Sequence, residues 1–139
     1  MATKIRPELS EKNKYYIDKH RHYELKHFCL QYPIWRKQYA AYSEIGPNLS
    51  KFEQLYSDGM KTDLTAKLAI KRAYYAEKIE LIEKAAAETD YILSNYILKA
   101  VTEGLSYPYL KTVLHIPCGR DVYYERYRKF FWILDYLRD

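Results

Sequence analysis

TDYILSNYILKAVTEG (89–104), LSYPYLKTVLHIPCGR (105–120) and DVYYERYRKFFWILDYLRD (121–139) make up the C-terminal third of this 139-residue chain. Gly104 and the Pro117-Cys118-Gly119 cluster divide the stretch into three short apolar-periodic pieces. A tight helix-turn-helix needs such punctuation, because each turn must reverse the chain within a few residues. The third piece interleaves Arg120, Arg126, Arg128 and Lys129 with Tyr123, Tyr124, Tyr127, Phe130, Phe131 and Trp132. A basic and aromatic helix presented by a compact three-helix unit is what reading of the DNA major groove requires.

At 100° per residue, a helix starting near Arg120 with Gly119 as its N-cap places Val122, Arg126, Phe130, Ile133 and Leu137 on one face, with Tyr123 at its edge. That face is expected to point inward, onto Leu110, Val113 and Leu114. Asp121 in the first turn complements the positive end of the helix dipole. The opposite arc holds Arg120, Tyr124, Arg128 and Phe131, flanked by Tyr127, Lys129 and Trp132. The expected DNA-contacting residues are therefore Lys111, Arg120, Tyr123, Tyr124, Tyr127, Arg128 and Lys129. Arg binds guanine or phosphate in a bidentate way, while a tyrosine hydroxyl or a lysine fixes phosphate. The bland alternative is that these charges solvate a surface helix and that Phe131 and Trp132 are core.

Upstream the pattern is helical as well. The stretch SEKNKYYIDKHRHYELKHFCLQY (10–32) predicts a helix starting at Ser10, and Pro33 suits the first turn of a new one over PIWRKQYAAY (33–42). Residues 43–60 hold two of the four glycines and no sustained period, so a loop or linker is expected there. From Thr62 to Glu103 there is neither Gly nor Pro. Leu68, Tyr75, Ile79, Ile82 and Ala86 form an amphipathic stripe, with Thr62 or Asp63 as its expected cap. A break is expected within AAAETD (85–90), with Thr89 or Asp90 capping the next helix. No stretch alternates as a strand. The expected fold is all-α, with an N-terminal helical arm (1–43), a linker (44–61) and a helical domain (62–139) that carries the helix-turn-helix at about 90–139.

Charge is uneven along the chain. Residues 1–40 carry nine Lys/Arg against four acids, residues 41–104 eight against ten, and residues 105–139 six against four, within a formal net charge of +5. A basic balance permits nucleic-acid binding without demanding it. Glu77, Glu80, Glu83 and Glu88 give the middle helix an acidic face that suits a protein partner. Tyrosine is the compositional oddity, with 17 residues. Its ring fills a core while its hydroxyl keeps a polar partner, which fits half-buried helix faces and interfaces. Tyr15, Tyr16, Tyr23 and Phe28 exceed what one short helix buries alone, so a homodimer is expected.

Nothing in the sequence points to an enzyme, a metal or a cofactor. His20 and His22 are separated by Arg21 on an expected helix and diverge by about 200°, which rules out the paired histidines of a strand-borne nuclease site. His22, His27 and Cys29 lack the i, i+4 spacing of a helical metal pair and read as core or interface. His115 and Cys118 are two potential ligands where a structural zinc needs four. Cys29 and Cys118 are far apart and read as small buried side chains. No apolar run approaches the roughly 20 residues of a membrane span, and the N-terminus lacks an apolar signal core. The expected location is the cytoplasm.

From about Lys78 onward the chain resembles the ArpU/RinA-type regulators of phage packaging and lysis genes. The matching stretches are IELIEKA (79–85), ILKAVTEG (97–104) and IPCGRDVYYERYRKFFWIL (116–134). The third follows that family's pattern of a small capping residue, a charged pair, an aliphatic residue, paired tyrosines and a basic run. Gly119 stands where many of those proteins have Ser. At the N-terminus, ELKHFCLQYP (24–33) is similar to a motif of small proteins from gut-Firmicute prophages. The resemblance implies a helix-turn-helix like region 4 of sigma factors, duplex DNA as partner, and a regulatory role inside a bacterial host cell. Two other readings stay open. One is a phage-encoded inhibitor that binds a host protein, RNA polymerase or a CRISPR effector. The other is an assembly factor.

Overall fold

The computed structural model describes residues 11–45 and 58–138. Helices α1 (Lys19–Leu30), α2 (Tyr32–Ile45), α3 (Asp58–Thr89), α4 (Ser94–Glu103), α5 (Tyr107–Thr112) and α6 (Arg120–Arg138) follow in order. No strand occurs among the described residues, so the chain is all-α as its periodicity implies.

Two compact units divide these helices. Tyr32–Glu80 forms one, and the segments ending at Gln31 and beginning at Leu81 form the other. This division differs from the expected arm, linker and domain. Residues 11–31 do not stand apart as an arm, because α1 packs against both α4 and α6. Most of the expected linker lies outside the described residues, and its last part, from Asp58, is already α3.

Local chemistry sets the ends of the elements. The expected start at Ser10 lies outside the described residues, and α1 begins only at Lys19. Asn13 accepts from the Tyr15 amide at 2.9 Å and Asp18 from the His20 amide at 3.0 Å. Each short polar side chain offers the backbone a turn in place of helix, and Asp18 then serves as the N-cap. Pro33 occupies the first turn of α2, where its missing N–H costs nothing. Helix α3 runs through AAAE to Thr89, and the break falls at Asp90, whose Oδ1 accepts from the amides of Ile92 and Leu93, both at 3.0 Å. Gly104 closes α4 in the left-handed region at φ 69°, with its own amide and that of Leu105 donating to the Ala100 carbonyl. A Cβ in that conformation is strained, which is why glycine stands there. Ser106 caps α5, and Pro108 lies in its first turn.

The core of the larger unit joins Leu25, Phe28 and Cys29 of α1, Ile82, Ala85 and Ala86 of α3, Ile97 and Val101 of α4, and Tyr123, Phe130, Phe131 and Leu134 of α6. Large buried side chains of this kind stabilise by about 1.5–3 kcal/mol each. In the other unit Tyr32, Trp35, Tyr39 and Tyr42 recur at helical spacing along α2. Tyr42 stacks on Tyr75 of α3 at 6.0 Å. The Arg72 guanidinium sits 5.9 Å from the Tyr39 ring and the Lys78 ammonium 5.4 Å from that of Trp35. These aromatic faces are thus lined with cations from α3, which accounts for part of the tyrosine excess.

Candidate nucleic-acid interface

The segment α4–α5–α6 forms a compact helical run with two tight turns. The first is fixed by Gly104 and the Ser106 cap. In the second, the amides of Val113 and Ile116 donate to the carbonyls of Tyr109 and Leu110 at 2.9 and 3.0 Å. His115 takes a positive φ of 57° there, a conformation uncommon outside glycine. Gly119 sits at the N-cap of α6, its carbonyl accepting from Tyr123 at 3.0 Å. Tyr107, which sequence reasoning passed over, locks this turn. Its hydroxyl donates to the Cys118 carbonyl at 2.8 Å, and its buried ring stacks on Tyr123 at 5.6 Å.

The inward face of α6 is not the expected one. Tyr123, Phe130, Phe131 and Leu134 are buried, while Val122 is 44% exposed and Arg126 and Ile133 are half-buried. The buried stripe is turned from the expected face by somewhat less than the 100° step of one residue. The aromatic set offers more apolar area than Val122 and Ile133, and it wins. Arg126 instead pairs with Asp90 at 2.9 Å, tying the turn before α4 to α6. Burial alone would push the Asp90 carboxyl up. The Arg126 hydrogen bond, the Leu93 amide, the Arg126 charge and the Ile92 amide outweigh it and hold the carboxyl below its usual range.

This rotation separates the expected DNA-contacting residues. Arg120 is exposed, with its guanidinium 6.0 Å from the Tyr107 ring. Lys111, in the last turn of α5, is exposed; burial raises the Cys118 thiol, and the nearby Lys111 charge only partly opposes that rise. Tyr124 is half-buried among Tyr107, Tyr123 and Tyr127. These three groups lie at the turn into α6.

The other four residues differ. Tyr123 is buried, and burial, with Tyr127, Tyr124 and Cys118 nearby, pushes its hydroxyl well up. It is a core residue and not the expected contact. Tyr127 is half-buried, 5.0 Å from Phe131 and 6.3 Å from His22 of α1. Arg128 is half-buried with its Nε shut off from solvent. Lys129 is half-buried on the other side of the helix, along the line Val122–Glu125–Lys129–Trp132–Tyr136. Along that line Trp132 is 44% and Tyr136 78% exposed, so the solvent side of α6 is aromatic and of mixed charge, not basic.

Helix α1 covers the arc expected to face outward. His22 packs on Phe131 at 4.8 Å, Arg21 Nε donates to Asp135 at 2.6 Å, and Arg138 lies 4.1 Å over the Phe28 ring. Tyr15 and Phe28, expected as dimer surface, are drawn into the same contacts. Tyr15 sits 5.7 Å from Trp132, and Phe28 is buried. Tyr16 and Tyr23 remain partly exposed. Cys29 is buried in this core, which raises its thiol against the pull of Arg138. Among the described residues no group of three His, Cys, Asp or Glu is placed to hold a metal ion, and no helix is long and apolar enough to cross a membrane.

No family model, curated protein or solved structure matches the chain.

Proposed function

We propose that the chain is a DNA-binding transcriptional regulator that grips duplex DNA with the N-terminal end of α6 and the last turn of α5. The observation that carries this reading is the pair of exposed cations, Arg120 and Lys111, flanking a turn held rigid by the Tyr107–Cys118 hydrogen bond. Helix-turn-helix proteins read bases with the N-terminal residues of the second helix, and Arg120 in that first turn of α6 is exposed. Arg120 takes a guanine edge or a phosphate, Lys111 a phosphate, and the Tyr124 hydroxyl a phosphate beside them. Tyr123, Tyr127 and Arg128 act by positioning α6. The resemblance to ArpU/RinA-type regulators supports the same reading and adds a phage or prophage setting in a bacterial host cell.

One observation favours a second reading, a phage-encoded inhibitor of a host protein. Val122, Trp132 and Tyr136 put apolar surface on the solvent side of α6 among Asp121 and Glu125, a composition that suits protein rather than phosphate. Fluorescence anisotropy on a mixed-sequence duplex separates the two. Under the DNA reading, Lys111→Ala with Arg120→Ala abolishes most of the binding, while Trp132→Ala with Tyr136→Ala leaves it intact. An absence of binding by the wild-type chain at low salt removes the DNA reading.

A further inference from the structure

Helix α3 carries apolar side chains on two faces. Leu64, Leu68, Tyr75 and Ile79 recur on one and are half-buried. The other lies roughly 130° round the helix and reads Lys67–Ile70–Tyr74–Glu77, a 3-4-3 spacing that keeps all four on one stripe. Ile70 is 68% and Tyr74 53% exposed. Lys78 holds the Tyr74 ring from one side, 4.6 Å from its centroid. Lys67 and Glu77, at the two ends of the stripe, are exposed and form no ion pair with a described residue. Ala66 and Ala73 flank the stripe on one side and are exposed, so a second helix meets little bulk there; Lys71 and Lys78 flank it on the other.

The order of these four residues is self-complementary. Read in one direction it is cation, apolar, apolar, anion, and the reverse reading is its charge complement. An isologous contact requires just such a patch, in which each residue meets a different residue of an identical surface. We propose that this stripe pairs two copies of the chain, α3 against α3 in antiparallel alignment, with the two-fold axis at the level of Arg72. Ile70 then meets Tyr74 of the second copy, and Lys67 meets Glu77 of the second copy, each pair occurring twice. A parallel alignment sets Lys67 beside Lys67 and Glu77 beside Glu77, and the repulsion disfavours it. At 32 residues α3 is ~48 Å long, enough helix to support such a seam. This pairing is independent of the DNA reading and uses none of its residues.

Sedimentation of the full chain across a concentration series tests it. The wild type is expected to form a dimer that Ile70→Glu abolishes. Lys67→Glu and Glu77→Lys each turn two attractive pairs into two repulsive ones, weakening the dimer on the order of tenfold or more. The combined K67E/E77K chain restores both pairs and recovers wild-type association. Circular dichroism checks that each variant keeps its helices, and the two exposed charge variants carry the test if Ile70→Glu loses them. A wild type that stays monomeric overturns the proposal. So does a dimer indifferent to Ile70→Glu, or a double variant no tighter than either single one.

Discussion

His22 of α1 meets Phe131 of α6 edge to face, with ring centroids 4.8 Å apart and planes at 70°. That contact places α1 over the arc of α6 that a helical wheel offers to DNA, while Arg120, Asp121 and Val122 in the first turn of α6 stay exposed. The N-terminal segment is therefore a structural part of the C-terminal unit, and its removal should expose Phe131, on which His22 packs.

The rotation of α6 sets the relative cost of two substitutions. Phe131→Ala should cost about 3–5 kcal/mol, because the ring is 1% exposed and its loss leaves a cavity. Val122→Asp, at an exposed position, should change stability by roughly 0.5 kcal/mol or less. Urea unfolding of the two variants checks this, and a larger loss for Val122→Asp would restore the wheel-based face.

The Asp90–Arg126 pair gives stability a defined pH dependence. The folded Asp90 carboxyl lies below its ordinary value, so the unfolded chain takes up its proton first as pH falls. The stabilisation is fully present above the ordinary value of about 3.9 and is lost as pH drops through the folded one. The stability gap between wild type and Asp90→Asn should close over that acidic window. A gap that stays constant on acidification would contradict the pairing.

The two thiols should differ in reactivity. Cys29 is fully buried with its thiol pushed up, whereas Cys118 is half-buried and only partly shielded. At neutral pH a disulfide reagent should label Cys118 slowly and Cys29 only on unfolding. Mass mapping of the labelled peptides reads the order, and early labelling at Cys29 would mean that α1 is not seated on the core.

Gly119 makes a further local test. It sits at the N-cap of α6, and a Cβ there meets nothing within 4 Å. Gly119→Ser should stabilise the chain by a few tenths of a kcal/mol, since a hydroxyl caps better than glycine. Thermal denaturation decides it, a lower midpoint being the contrary result.

The legible features of the fold were those carried by single residues acting locally. Gly104 stops α4, Pro33 starts α2, Asp90 marks the break after α3, and the Pro117–Gly119 cluster precedes α6. The phase of α6 was not legible. Aromatic or aliphatic side chains occur on every side of it, from Tyr123 and Tyr124 through Trp132 to Tyr136, so periodicity offers no minimum. Contact with α1 selects the face, and that contact spans more than a hundred residues of sequence, as between Arg21 and Asp135. The start of α1 was hidden for the opposite reason. Asn13 and Asp18 divert the backbone locally where composition alone favours continuing the helix. Of the candidate site, Arg120 and Tyr124 both lie around the Tyr107 ring at the turn, while Tyr123, at the edge of the expected inward face, belongs to the core.

The most direct test of the DNA reading is the salt dependence of binding to a mixed-sequence duplex, followed by anisotropy for the wild type and for the Lys111→Ala, Arg120→Ala double variant. Each phosphate contact contributes about −0.9 to the slope of log K against log salt. The wild type should lose affinity steeply as salt rises, and the double variant should bind more weakly at every salt with a slope flatter by about two. Equal slopes and equal affinities for the two chains would contradict the account.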